Sequence, residues 1–173
     1  MGKTWTATPY LKLNRKGFKG KGVIQPTLWE AGPGKVHMLV RSTNDFIYRS
    51  DSKNCGKTWS PLYKTSLNNP NSAIDIAKLS DKTLALAFNP TTRSTGNRSK
   101  LCIALSYDNG ETWPHKMVIE EQENAGEGFA FPAIISFGDT IAMTYTWKRK
   151  KIMFWEGTKE LIVESSQNQL PSK

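Results

Sequence analysis

One tetrapeptide recurs at a fixed pitch along this chain: Gly2-Lys3-Thr4-Trp5, Gly56-Lys57-Thr58-Trp59 and Gly110-Glu111-Thr112-Trp113. The tryptophans stand at positions 5, 59 and 113, an interval of 54 residues both times. A signature kept in register over such distances marks a repeat architecture. In such a fold each repeat is one supersecondary unit that buries its apolar face by stacking on its neighbours. Any functional residue therefore has to be located first within its repeat.

Between Trp59 and Trp113 the pattern is all-β. A short outer segment, 61–67, is followed by a polar loop through Asn68-Asn69-Pro70-Asn71. Strands are expected at 73–79, 83–88 and 101–106, separated by Ser80-Asp81-Lys82 and by a loop containing Pro90 and Gly96. The flanking repeats agree, with strands at 23–30, 36–41 and 46–50 before the second signature and at 131–137, 140–147 and 151–155 after the third. Short strands rich in β-branched and aromatic residues, with turn residues between them, read as sheet. Four of them per unit of this length is the pattern of a propeller blade. Helical periodicity surfaces weakly at 159–164, a tail that reads equally as a last edge strand.

The signature has a mechanical reading. In Ser106-Tyr107-Asp108-Asn109-Gly110-Glu111-Thr112-Trp113 a strand enters a tight turn. Gly110 supplies the positive φ, the Asp108 carboxylate accepts backbone N–H groups, and Trp113 starts the next strand with its ring in the apolar layer. In Ser52-Lys53-Asn54-Cys55-Gly56-Lys57-Thr58-Trp59 an amide oxygen takes the carboxylate's place. The repeated Gly-Lys-Thr is no phosphate-binding loop. That motif needs a glycine five residues before its Gly-Lys pair, where Asp51 stands, and a helix after it.

Composition narrows the partners. The net charge of +9 favours acidic ones, and no apolar run approaches the roughly 18 residues of a membrane span. The basic run Lys148-Arg149-Lys150-Lys151 reads as a solvated hairpin rather than a nucleic-acid patch. Cys55 and Cys102 fall in different units and are not expected to pair. His37 and His115 lack metal-ligand spacing, so neither a metal nor another cofactor is expected. The opening residues contain no apolar stretch of the secretory kind.

Ser-x-Asp-x-Gly-x-Thr-Trp is the Asp-box, the bacterial neuraminidase repeat. Ser106 to Trp113 matches it fully, with Ser106, Asp108, Gly110, Thr112 and Trp113 in place. Ser52, Asn54, Gly56, Thr58 and Trp59 match it with asparagine for aspartate, and Gly2 to Trp5 matches its second half. From residue 2 to about 155 the chain thus resembles the sialidase superfamily, which implies an all-β, six-bladed propeller. At 54 residues per blade, 173 residues hold about three four-stranded blades, fewer than the roughly four that a closed ring needs. The expected division is an outer strand of a preceding blade at 1–13, blades at 14–67, 68–121 and 122–165, and a tail at 166–173. The resemblance suggests the C-terminal half of such a protein, completed by the other half or by a second copy.

For function the resemblance implies an exo-α-sialidase-type glycoside hydrolase that acts on terminal acidic sugars. Its arginines clamp the substrate carboxylate, and a tyrosine polarised by a glutamate serves as nucleophile. Arg41, at the end of a second blade strand, and Arg98, three residues before the strand that runs into the full box, match two of those arginines. Gln25 stands at the glutamate's position and Phe131 at the tyrosine's, and neither side chain can perform that chemistry. Tyr145 is a nearby phenol on another strand that reads as packed core. Asn71 and Asp75 sit at the entrance of the middle blade, where polar residues line a funnel or cap a turn. A catalytic residue is therefore not assigned. The expected ligand is an acidic glycan or another carbohydrate held by Arg41, Arg98, Gln25, Asn71 and Phe131. A non-catalytic propeller binding acidic glycan or a protein is the alternative.

Overall fold

The computed structural model describes residues 4–8, 10–123 and 126–168. Three antiparallel sheets follow one another along the chain. The first contains β1 (Val23–Gly32), β2 (Lys35–Ser42), β3 (Phe46–Ser52) and β4 (Tyr63–Asn68). The second contains β5 (Asp75–Lys78), β6 (Leu84–Phe88), β7 (Lys100–Ser106) and β8 (His115–Glu121). The third has three strands, β9 (Phe129–Phe137), β10 (Thr140–Trp147) and β11 (Lys151–Thr158), and is followed by the helix α1 (Lys159–Asn168). In every sheet strand order equals chain order, so each is a meander. The protein is all-β in its body, a partial propeller whose blades meet face to face.

The middle sheet shows why the blades stack. β6 reads Leu-Ala-Leu-Ala-Phe and is buried at all five positions, because both of its faces are covered. On one side Trp29, Leu39, Ile47 and Leu67 of the first sheet meet Ile76, Leu84, Leu86, Phe88 and Trp113 of the second. On the other, Ala85, Ala87, Leu101, Ile103 and Leu105 meet Phe129, Ile134, Ile141, Met143 and Tyr145 of the third. Fully burying one such large side chain is worth about 1.5–3 kcal/mol, so two covered faces make this sheet the anchor of the molecule. The third sheet shows the opposite pattern. Ile141, Met143 and Tyr145 point inward along β10, whereas Ile135, Phe137, Ile152 and Phe154 are exposed on the far face.

Two terminal features differ from the simple repeat. The last sheet has three strands rather than four, and the tail that read as helix or edge strand is helical. Thr158 caps that helix by accepting the Leu161 N–H at 3.3 Å, and Glu160 lies in its first turn. Ile162 is fully buried where the helix packs chiefly on β8 and β7 of the second sheet, and Lys159 reaches Asp81 at 2.5 Å. At the other terminus, the described part of 1–13 holds one parallel bridge, Leu13 to Leu62, with Leu11, Leu13 and Phe18 packed on Met38, Val40 and Tyr48. Gly2 and Lys3 of the first signature lie outside the described residues, while its Trp5 is 90% exposed.

Both complete signatures form the expected turn. Ser106 Oγ accepts from Gly110 N at 2.8 Å and donates to Asp108 at 2.8 Å, and Asp108 accepts from Thr112 N at 2.8 Å. In the earlier copy Ser52, Asn54, Gly56 and Thr58 reproduce these bonds at 2.9–3.0 Å.

Candidate functional site

Strand direction sorts each blade into two ends. First strands enter, second strands leave, third strands enter and fourth strands leave at one common end. The signature turns, which follow the third strands, lie at the other. The common end gathers Gln25 and Arg41 from the first sheet and Asn71 and Arg98 from the loops flanking the second. It also gathers Phe131 and the β10–β11 turn from the third.

The entrances of the three inner strands share a backbone device. Gln25, Asn71 and Phe131 have φ of 52°, 59° and 53°, the left-handed region, which asparagine tolerates but glutamine and phenylalanine rarely enter. Gln25 and Phe131 each precede a proline, and the strand pairing shifts register beside each. Bulges of this kind re-aim side chains and recur next to functional sites. Just inside, Asp75 ties the three inner strands together. It accepts from Thr27 Oγ at 2.8 Å on β1 and from Ile134 N at 3.0 Å on β9, besides its own neighbour Ile76 N at 3.0 Å. Asp75 is a strut between blades.

Arg98 is set by the loop 89–99. Its carbonyl accepts from Phe129 N at 2.9 Å, and its guanidinium lies 5.9 Å over the Phe131 ring. Gly128 permits this approach. With φ of 67°, a side chain there would place its Cβ 2.6 Å from the Arg98 carbonyl oxygen. Arg93 clamps the same loop to the first sheet through a bidentate pair with Asp45 at 2.9 and 3.2 Å. That pairing holds the Asp45 carboxyl below its usual range. Asn89 donates to the Phe129 carbonyl at 3.1 Å and joins the second sheet to the third.

Electrostatics mark the site as well. Burial first, and the charge of Arg98 second, lower the pKa of Arg41. Arg98 is lowered by burial and then by the charge of Arg149. Three cations therefore stand in sequence with no carboxylate paired to Arg41 or Arg98 among the described residues. Nε and one Nη of Arg41, Nε of Arg98, Oδ1 of Asn71, Nδ2 of Asn69, Oδ1 of Asn89 and Oγ of Ser72 are buried without a hydrogen-bond partner. Every such side-chain atom among the described residues belongs to this one end. Buried polar groups without partners are uncommon, and a concentration of them calls for a ligand or ordered water.

Sequence reasoning thus located Arg41, Arg98, Asn71 and Phe131 at one end, with Arg98 and Phe131 in contact. Gln25 is exposed there and carries the same bulge. It missed Asn69, Asn89, Gly128 and Arg149. A glycine opening the last blade and a basic pair in a tight turn were the available signals. Tyr145 proves to be core: it is 4% exposed and donates to Glu120 at 2.5 Å. Burial, then the bond to Glu120, push its pKa up, the wrong direction for a nucleophile.

A family model described as a BNR repeat-like domain matches residues 1–143. No protein of curated function matches the sequence significantly. Among solved structures, an α-L-arabinofuranosidase from Fusarium graminearum superposes with a TM-score of 0.68 at 16% identity, over 91% of this chain and 51% of that one. An intramolecular trans-sialidase from Ruminococcus gnavus gives 0.65 at 15% identity over 94% and 37%. A sialidase from Streptococcus pneumoniae gives 0.61 at 16% identity over 93% and 26%. The chain spans about half or less of these relatives' lengths, and at such identities the likeness is one of fold.

Proposed function

The chain belongs to the BNR repeat-like domain family and has the propeller fold of known glycoside hydrolases. From that premise we propose that it forms the carboxylate-holding part of a sialidase-like glycoside hydrolase acting on terminal acidic sugars. One observation carries the reading: the unpartnered, buried guanidinium atoms of Arg41 and Arg98, aligned at the end where inner strands enter. Guanidinium is permanently charged and planar, and it matches a carboxylate through two parallel bonds. Half-buried, with those nitrogens short of acceptors, the pair gains most from an anion that supplies them. Asn71 and Asn89 offer further polar contacts to the sugar, and Phe131 offers an apolar face. The acid/base would come from further blades, in additional chain or in a second copy, and with Phe131 and Gln25 at the tyrosine and glutamate positions of the resemblance a hydrolase would need a different nucleophile. The bare face of β9–β11 is where a further blade would pack.

The test is hydrolysis of a fluorogenic sialoside together with binding of 3′-sialyllactose. Arg98→Ala is expected to reduce either by about 100-fold or more, the scale of losing a buried charge-assisted clamp. Binding that is indifferent to Arg98→Ala would remove the reading. A second reading, a non-catalytic propeller that binds acidic glycan, is favoured by Gln25 and Phe131, which lack nucleophile and base. Binding abolished by Arg98→Ala without turnover, with a complete ring present, would select it.

A further inference from the structure

The connection between β10 and β11 is built against its own backbone preference. Lys150 N donates to the Trp147 carbonyl at 2.9 Å, closing a tight turn whose central residues are Lys148 and Arg149. Their φ values are 48° and 53°. Two successive left-handed residues define the hairpin turn that selects Asn-Gly, and a long side chain is disfavoured at both places. Strain of this kind persists where the side chains have a task.

Their surroundings point to one. Lys148 N donates to the Gly128 carbonyl at 2.8 Å, so the glycine that accommodates Arg98 also seats this turn. The ammonium groups of Lys148 and Lys151 lie 4.6 and 4.8 Å from the Trp147 ring, which holds both stems in place. At the end of β8, Glu120 is engaged with Tyr145 at 2.5 Å and Glu121 with Lys100 at 2.6 Å. Among the described residues no carboxylate pairs with Lys148, Arg149, Lys150 or Lys151. The exposed turn at Lys82 also carries a positive φ, of 74°, and what sets the Lys148-Arg149 turn apart is two such residues in succession and the seating through Gly128 beside Arg98.

We propose that the Lys148-Arg149 turn is a second anionic subsite, continuous with Arg41 and Arg98, and that the ligand is an oligosaccharide carrying more than one anionic group. The inference rests on reading the arginine pair as an acidic-sugar site and extends it outward along the chain of the glycan. Sulfate and carboxylate share the chemistry that the turn recognises.

Calorimetric titration of the purified chain separates the cases, with 3′-sialyllactose as the singly charged probe. A short heparin oligosaccharide serves as the sulfated probe and an oligogalacturonate as the carboxylated one. At least one polyanionic sugar is expected to bind about tenfold or more tightly than sialyllactose, with a margin that shrinks as salt rises. The double variant Lys148→Asn, Arg149→Gly should lose that margin while its thermal midpoint rises, because Asn-Gly suits the turn. Arg149→Gln should lose most of the margin without the rise. Unchanged affinity for the polyanionic sugars in these variants overturns the proposal, as does equal affinity for a single-stranded oligonucleotide of matched charge. Arg98→Ala abolishing sialyllactose binding while the turn variants leave every probe unchanged would sink the subsite alone. Sialyllactose binding indifferent to Arg98→Ala would sink the reading beneath it.

Discussion

The two complete signature turns have nearly the same internal bonds and very different surroundings. Around 106–113, Asn109 reaches into the preceding blade. It accepts from the Trp29 indole at 2.7 Å, and its carbonyl accepts from Arg49 at 2.9 Å. Arg49 is 3% exposed and also holds Asp51 at 2.9 Å and Glu111 at 3.0 Å. Gly110 lies so close that a Cβ there would sit 3.3 Å from both the Arg49 guanidinium and the Trp29 ring. Around 52–59 the equivalent position is Cys55, which is exposed and donates its N–H to the Gly34 carbonyl at 2.9 Å. Trp113 is 8% exposed in the core between the first and second sheets, whereas Trp59 is half-buried at the edge of the first. The motif therefore closes a turn by itself, and its wider contribution depends on whether a blade stands in front of it.

The largest expected effect tests that dependence directly. Trp113→Ala should cost about 3–5 kcal/mol, as for other buried aromatics, and Trp59→Ala well under half of that. Denaturant midpoints at a common m-value check it, and equal costs would break the comparison. Next in size, Arg49→Met should cost on the order of 3 kcal/mol by leaving Asp51 and the Asn109 carbonyl short of a buried partner. In a double-mutant cycle with Asn109→Ala the two should be non-additive, since both act on one junction between blades. Strict additivity would mean that the junction is not a unit.

The smallest effect is set by pH. Burial alone would raise the Asp108 carboxyl, but the hydrogen bonds from the Thr112 hydroxyl and backbone and from Ser106 outweigh it, and the group is held below 3.8. A depressed carboxyl contributes stability that is fully present above the ordinary value and is lost as pH falls through the folded one. Protection of the 109–112 amides, taken relative to their intrinsic exchange rates, should therefore fall from about pH 4 downward. The turn at 55–58, where Asn54 cannot titrate, should not respond until global unfolding. Asn54→Asp should transfer the response, and an acid profile unaltered by that change would remove the carboxylate from the account.

Much of the fold was legible because its determinants are local. A glycine at positive φ, a short side chain accepting N–H groups and an aromatic residue opening the next strand are all chain neighbours. Their regular pitch was enough to mark three β units. The closing helix was ambiguous in the sequence, because Thr158 as cap and Ile162 as anchor take effect only once β7 and β8 of the second sheet offer a surface. The site was legible in part. Arg41 and Arg98 could be placed from strand ends, and Gln25, Asn71 and Phe131 from strand entrances. Gly128 drew no notice, because its role is to make room for a residue 30 positions earlier. Arg149 looked like one cation in a solvated run until the turn seated it beside Arg98.

What the amino-acid order determined alone was the alternation of strands and turns, since hydrogen bonds within a few residues decide both. Which polar atoms end up buried without a partner was decided only by the tertiary structure. Arg41, Asn71, Asn89 and Arg98 belong to different strands and loops, and each has acceptors or water available until the blades close over it. Desolvation and the loss of those partners are properties of the assembled end, and that is where a ligand can be recognised.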